Sequence, residues 1–203
     1  IFLPFIKALY KKYNSPISLL VKESSKADQY LFQTNYIDKI LILERDINNN
    51  SRHSGLLGSF NLIKDLKKYN FDKIFIFNSS LRFNLIARFS NIPNIYQYPL
   101  FNKNKQHIID TPKRFLKNKL DIDVNEDPNI QISDELVSKA TKKFQINKNE
   151  LNILMGIGGS GPTKRIPSRI FLEIMDKTLK SKKCKFFLAT GKNTEEQIIL
   201  NEI

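Results

Sequence analysis

The residue types best suited to chemistry gather in one stretch, residues 151–171, LNILMGIGGSGPTKRIPSRIF. An apolar run reads as a buried strand. It leads into Gly158-Gly159-Ser160-Gly161, then Thr163-Lys164-Arg165, then a helix whose first turn opens at Pro167, a position where the missing N–H of proline costs nothing. Glycines let backbone N–H groups come close to an anion, and a helix start offers the positive end of its dipole. Lys164 and Arg165 add full charges. This combination, at the carboxyl end of a strand, suits a phosphate or diphosphate. A glycine turn beside a solvated Lys-Arg pair explains the same residues without a ligand, and both readings stand on spacing alone.

Two familiar phosphate motifs fail here. Residues 156–161 match G-x-G-x-x-G in form, but Pro162 and Pro167 keep a helix from starting within the glycines. The next strand ends Leu188-Ala189-Thr190-Gly191 without the carboxylate that would hold a ribose of a nicotinamide dinucleotide. A Walker loop needs Gly-Lys-Ser/Thr, whereas Lys164 stands between Thr163 and Arg165. A second loop, Thr190-Gly191-Lys192-Asn193-Thr194, opens a helix from Glu195. Glu195 and Glu196 suit a first helical turn for dipole reasons alone. Adjacent parallel strands nevertheless bring both loops to one rim, where a cationic loop and a carboxylate can hold a diphosphate and sugar or ribose hydroxyls together.

The elements that must position these loops follow from hydrophobic patterning. It predicts helices over 2–13, 24–33, 56–69 and 81–90, and strands over 17–21, 39–43, 73–77 and 95–98. Leu56, Phe60, Ile63 and Leu66 are spaced to share one face of the third helix. The strands are nearly continuous apolar runs, the mark of strands covered on both faces, hence an α/β chain with parallel sheets and flanking helices. Residues 99–131 are less regular, with a basic helix over 111–120 and an acidic cluster at Asp121, Asp123, Glu126 and Asp127. A polar helix over 134–145 opens at the cap-like Ser133. Strand 151–157, helix 167–181, strand 184–190 and a helix from 195 complete the pattern. The boundary falls in 132–150, giving an N-terminal domain over 1–131, a linker over 132–150 and a second domain over 151–203. The only low-complexity tract is Asn48–Asn50.

Composition narrows the function. The chain has 203 residues, 41% hydrophobic and 26% charged, which is ordinary for a globular protein. No apolar run approaches the roughly 18 residues a bilayer-spanning helix needs. A single cysteine, Cys184, and two histidines, His53 and His107, leave no basis for a disulfide framework or a Cys/His zinc site. The net charge of +13 has three competing sources: codon drift, attraction to an anionic membrane, and nucleic acid. Lys (26), Asn (21) and Ile (27), all with A/T-rich codons, favour drift, and the even spread of charge speaks against nucleic acid. The chain begins at Ile1 within the amphipathic pattern Phe2, Ile6, Leu9, Tyr13, carries no signal-peptide pattern, and stops at Ile203 inside another helical pattern. It reads as an internal fragment of a longer chain.

At GIGGSGPTKRIPSRIF and FFLATGKNTEEQ the chain resembles the ADP-heptose:lipopolysaccharide heptosyltransferases of glycosyltransferase family 9. Their second domain has an apolar strand, a Gly/Ser loop, Lys-Arg-Trp-Pro, a helix, a further strand and Thr-Gly-x…Glu. Ile166 stands where the family has Trp. LPFIKALYKKYN, YIDKILIL and FDKIFIFNSSLRFNLIARFSNI resemble family segments in order and spacing. The resemblance implies a GT-B architecture of two Rossmann-like domains with parallel sheets, the second truncated here. It implies a bacterial enzyme, cytoplasmic or peripheral on the inner face of the inner membrane, with no cofactor and no obligatory metal. Its reaction is an inverting transfer of heptose from ADP-heptose to the lipopolysaccharide inner core.

By the same resemblance Ser160 and Lys164 contact the donor diphosphate, with Gly159 and Thr163 in the same loop, and Glu195 approaches the ribose. Arg165 ranks lower, as a residue facing solvent. Ser79, Ser80 and Arg82 occupy a strand-end loop that suits the acceptor, although a helix cap and a surface arginine account for them too. The family's Gly-Asp loop, whose Asp is the general base, is expected upstream of Ile1, and its Asp-x-Gly-x-x-His segment beyond Ile203. The alternatives are a non-catalytic sugar-nucleotide-binding protein of the same fold and, on charge alone, a nucleic-acid-binding α/β domain.

Overall fold

The computed structural model describes residues 1–45, 51–100, 107–159, 161–191 and 193–203; Ser160 and the tract 48–50 lie outside the described residues. The chain divides into two compact units, Ile1–Gln131 and Ile132–Ile203.

In the first unit, helix α1 (Leu3–Tyr13) is followed by β1 (Ile17–Lys22), a short helix α2 (Ala27–Tyr30) and β2 (Ile37–Leu43). Helix α3 (Gly55–Lys67), β3 (Lys73–Ile76), α4 (Leu81–Phe89), β4 (Asn94–Gln97) and α5 (Asp110–Leu120) follow. β1 pairs in parallel with β2, and β3 in parallel with β4, as long apolar strands joined by helices require. Helix α1 contributes buried residues to the core on two sides, Leu3 and Ile6 in one cluster and Phe5 and Leu9 in another. Its Phe5 and Leu9, each 1% exposed, pack on Phe115 and Leu116 of α5 and on Phe75, Phe77 and Tyr96. The acidic cluster supplies counter-ions within this unit. Glu126 pairs with Lys7 and Lys11 of α1, whose hydrogen bonds hold its carboxyl down at about 2, while Asp121 and Asp123 pair with Lys117.

Helix α3 differs from expectation. Leu56 and Phe60 are 85% and 63% exposed, and the buried face runs through Gly58, Leu62 and Leu66. The cause lies in the loop before the helix. Gly58 lies so close to the His53 backbone that a Cβ would overlap it, and this contact rotates the helix toward its Gly58 face. The segment expected as helix 24–33 is instead a 3-10 turn at Glu23–Ser25 followed by the four-residue α2. Between them Lys26 takes a left-handed φ of 50°, which breaks any continuous helix.

The pre-α3 loop is pinned by charge. His53, 3% exposed, accepts the Glu44 N–H at Nδ1 (3.1 Å), so Nε2 carries the ring hydrogen and donates to Asp65 (3.2 Å). Asp65 also accepts from Arg52 twice (2.9 Å each) and from Lys68 (2.8 Å). These hydrogen bonds, Lys68 first and then His53 and Arg52, hold the Asp65 carboxyl well below the usual carboxylate range against the opposing effect of burial.

In the second unit, α6 (Asp134–Lys143) is capped by Ser133, whose hydroxyl accepts the Leu136 N–H. Strand β5 (Leu151–Ile157), α7 (Ser168–Ser181), β6 (Cys184–Thr190) and α8 (Thr194–Glu202) follow. The segment after α6 packs on β6: Lys185 Nζ donates to the Phe144 and Gln145 carbonyls, and the Phe187 ring meets Phe144 edge-on. β5 and β6 run parallel and in register from Leu151↔Cys184 to Ile157↔Thr190. Coverage on both faces does not extend to β5, where Leu154 is 72% exposed among the described residues. Pro167 is the N-cap of α7, with extended backbone, rather than a residue of its first turn.

Two outcomes follow for stability. Gly58→Ala, a change that favours an ordinary exposed helix by about 1 kcal/mol, is expected to destabilise here by about 1–3 kcal/mol through overpacking, read as a lowered urea midpoint. Asp65 has a folded pKa below its unfolded value, so its contribution is full above pH ~4 and is lost as pH falls through the folded pKa. Asp65→Asn is expected to lower stability at pH 7 by about 1–3 kcal/mol. Urea titrations of both proteins should show that gap closing as pH drops below ~3.

Candidate functional site

The register of β5 and β6 fixes the geometry of the second unit's loops. Because Ile157 lies opposite Thr190, Gly158 and Gly191 leave the sheet side by side. Gly158 has φ of +133°, outside the range of residues with a Cβ, and a Cβ there would also run into the Glu196 carboxylate. That carboxylate accepts the Gly191 N–H at 2.7 Å and the Asn193 side-chain amide at 3.2 Å. Asn193 caps α8 by accepting the Glu196 N–H (2.9 Å), and Gln197 donates to the Gly191 carbonyl (2.7 Å). One acidic side chain thus stands between the two strand-end loops and joins them.

The expected donor residues surround this point. Gly159 lies against Lys164, whose carbonyl oxygen would stand 2.8 Å from a Cβ at that position. Thr163 and Lys164 belong to a 3-10 turn (Pro162–Lys164) and are exposed. Ser160 falls outside the described residues. Arg165 does not face solvent. Its side chain is 19% exposed, its Nε is buried with no acceptor among the described residues, and its guanidinium pairs with Glu195. Glu195 is 61% exposed. The loop therefore offers strand-end backbone, one arginine already matched to a carboxylate, and the exposed Lys164. Glu196, rather than Glu195, is the carboxylate seated between the loops. The Asn193-x-x-Glu196 spacing of a capping box marks it in the sequence.

Ser79 and Arg82 both lie in the first unit, Ser79 in the connection from β3 to α4 and Arg82 in the first turn of α4. Gln97 of β4 donates to the Asn78 and Ser80 carbonyls (3.1 and 2.9 Å) and accepts from Asn84 (2.8 Å), which fixes the loop. Ser80 occupies the N-cap position of α4, but its side chain makes no capping bond; the Asn78 side chain accepts the Ser80 N–H instead. Ser79 is half-buried. Arg82 is not a surface arginine: it is half-buried, and its Nη2 donates to the His53 carbonyl at 2.7 Å. Among the described residues no three His, Cys, Asp or Glu side chains gather where they could hold a metal ion, and no helix is long and apolar enough to cross a membrane.

No protein-family model matches the chain, and no curated protein matches it. Solved structures do. A glycosyl transferase family 9 structure from Veillonella parvula superposes with a TM-score of 0.67 at 18% identity, over 98% of this chain and 68% of that one. The structure of ADP-heptose LPS heptosyltransferase II from E. coli superposes with a TM-score of 0.65 at 17% identity, over 98% of this chain and 63% of that one. The chain spans about two thirds of the length of each. The α/β fold with parallel strands expected from the sequence is therefore the GT-B-type fold of these glycosyltransferases.

Proposed function

We propose that this chain is part of an inverting glycosyltransferase that moves heptose from ADP-heptose to the inner core of lipopolysaccharide. The observation that carries this reading is the pair of adjacent strand-end loops, Gly158–Gly159 and Gly191, gathered around Glu196 beside Lys164 and Arg165. That site lies on a fold shared with glycosyltransferases.

In this mechanism a carboxylate general base takes the proton of the acceptor hydroxyl as the hydroxyl attacks the anomeric carbon. No residue of this sequence is assigned that role. The glycosidic bond to ADP breaks, and negative charge grows on the departing diphosphate. Lys164, Arg165 and the loop backbone are placed to meet that charge, with preorganised donors that need no reorganisation during the step. Thr163 and Ser160 add hydroxyls to the same loop, and Glu195 and Glu196 are the carboxylates within reach of ribose hydroxyls.

The net charge and the exposed face of α3 support a second element of the proposal, contact with an anionic membrane on the cytoplasmic side. Leu56, Leu57 and Phe60 are 85%, 79% and 63% exposed, and Lys64 and Lys67 continue the same exposed face one and two turns on. Apolar residues beside lysines on one helix face suit an acidic lipid surface.

Calorimetry and thermal unfolding with ADP and ADP-sugars test the donor site. Saturable heat and a raised midpoint are expected; a flat trace and an unmoved midpoint overturn the reading. In the full-length protein, Lys164→Ala is expected to lower transfer by about 10²–10³-fold, the scale for losing one charge-stabilising donor. Near-normal turnover removes Lys164 from the mechanism. Sedimentation with phosphatidylglycerol vesicles should show binding that falls steeply between low and physiological salt. Binding that ignores salt counts against the membrane contact.

A further inference from the structure

Two neighbouring helices of the first unit present apolar side chains to solvent. Leu56, Leu57 and Phe60 do so on α3. On α4, Leu81, Leu85 and Phe89 are 45%, 43% and 62% exposed, and their spacing of four residues sets them in one stripe along the helix. The helices pack on each other. Leu62 and Leu66 of α3 and Ile86 of α4 share a buried cluster with Leu43 of β2, and Ile63 and Phe83 pack against it. Ala87 of α4 is buried with Ile76 of β3. Each helix thus turns its far side away from the strands, and the six exposed residues lie on one outward surface.

This surface is held in place. Both helix starts are anchored to His53, whose backbone meets Gly58 of α3 and whose carbonyl accepts from Arg82 of α4 at 2.7 Å. Turning α3 to bury Leu56 and Phe60 would break the Gly58 contact and bring Leu62 and Leu66 out of the core. The unit therefore has no internal means of covering the patch, and contiguous apolar surface of this kind marks an interaction site.

Charge selects what covers it. Lys64 and Lys67 on α3 and Arg88 on α4 are exposed. The two helices hold one acid, Asp65, which is matched to Arg52, His53 and Lys68. A second copy of the chain would set the same cations face to face, on a protein of net charge +13. An anionic lipid surface satisfies both features at once. Its acyl region takes the apolar side chains, and its phosphates take the cations, whose stems lie along the apolar surface while their heads stay in the headgroup layer. Neither demand is directional, so a fluid surface meets them without a matching shape.

We propose that the outward surface of α3 and α4 is the docking face for an anionic phospholipid bilayer. Leu56, Phe60, Leu85 and Phe89 enter the boundary of the acyl region, and Lys64, Lys67 and Arg88 meet the headgroup phosphates. The proposal rests on the membrane contact proposed above and deepens it, by adding the second helix and by fixing which side of the first unit meets lipid.

The chain contains no tryptophan, so a single one reports its own surroundings. Phe60→Trp and Phe89→Trp place it on the two helices, and Phe32→Trp, at a residue 62% exposed outside both, is the control. Emission is read with phosphatidylglycerol vesicles and with phosphatidylcholine vesicles, each with and without bromine on the acyl chains. On phosphatidylglycerol, a blue shift and quenching by bromine are expected for Phe60→Trp and Phe89→Trp, and neither for Phe32→Trp. Phe89→Ser is expected to weaken vesicle binding by about tenfold, the scale of losing the burial of part of an aromatic side chain. Lys64→Gln is expected to weaken it by about fivefold, the scale of one cation near an anionic surface. Vesicle binding with all three tryptophans still in water overturns this face and leaves a membrane contact elsewhere on the chain. Absence of vesicle binding overturns both, while ADP binding on the same samples decides the donor site separately. A blue shift without lipid that grows with protein concentration assigns the face to a second copy and overturns the proposal, as does equal quenching on phosphatidylcholine.

Discussion

Parallel pairing in register is the constraint from which the rest of this chain's chemistry follows. Two neighbouring strands that point the same way end at the same edge, and whatever follows them must share that edge. In the second unit the pairing runs unbroken to Ile157 opposite Thr190, so Gly158 and Gly191 are neighbours by construction. Glu196 turns that neighbourhood into a unit. Its carboxylate bonds to the Gly191 N–H and fills the space beside Gly158 that a Cβ would need. A glycine at 158 is then required twice, by the backbone angle and by the carboxylate. The first unit obeys the same rule with different chemistry. Its strand-end loops are tied by Gln97 on one side and by the His53–Asp65 pair on the other.

The parts of this architecture legible in the sequence are those set by local pattern. Strands Leu151–Ile157 and Cys184–Thr190 have the bounds their apolar runs predict, because nothing within them competes with extended backbone. Ser133 caps its helix as its residue type and position suggest. The failures have long-range causes or depend on single backbone angles. The face of α3 is decided by the approach of Gly58 to His53, a contact no periodicity encodes. The helix expected over 24–33 is broken by the left-handed conformation of Lys26, in a residue type that rarely signals it. Pro167 lies one position earlier relative to its helix than expected, at the N-cap, where its extended ψ of 148° still serves to start the turn.

The candidate site was legible in its loops and less so in its side chains. The glycine-rich turn, its cations and the acidic start of the next helix all stand out from composition. Which of two adjacent glutamates faces the loops does not, because consecutive helical positions differ by about 100° in direction. Here the capping geometry decides it. Asn193 takes the Glu196 N–H, and this places Glu196 at the third helical position, from which its side chain folds back over the loop. Glu195 meets Arg165 instead. Arg82 was hidden for a related reason: its burial depends on His53, 29 positions earlier in the chain.

The pairing of Arg165 with Glu195 bears directly on whether this loop can accept a diphosphate. A cation already neutralised is a poor receptor if the pair is strong. This pair is not of the strong kind. Glu195 is 61% exposed, and ion pairs with one partner in solvent contribute only about 0–1 kcal/mol. A diphosphate brings at least two charges and several acceptor oxygens. It can engage the Arg165 Nε, which the carboxylate leaves without a bond, together with Lys164. For the proposed diphosphate, the exchange would replace a weakly held carboxylate with a more highly charged ligand. In the proposed donor complex the displaced Glu195 would be an acceptor at the same rim, suited to hydroxyl groups on the same molecule. Glu196 has no such freedom, since the N–H of Gly191 and the amide of Asn193 hold it in place. The two adjacent carboxylates thus differ, one exposed and weakly paired, one held in place, and the difference follows from a single asparagine cap.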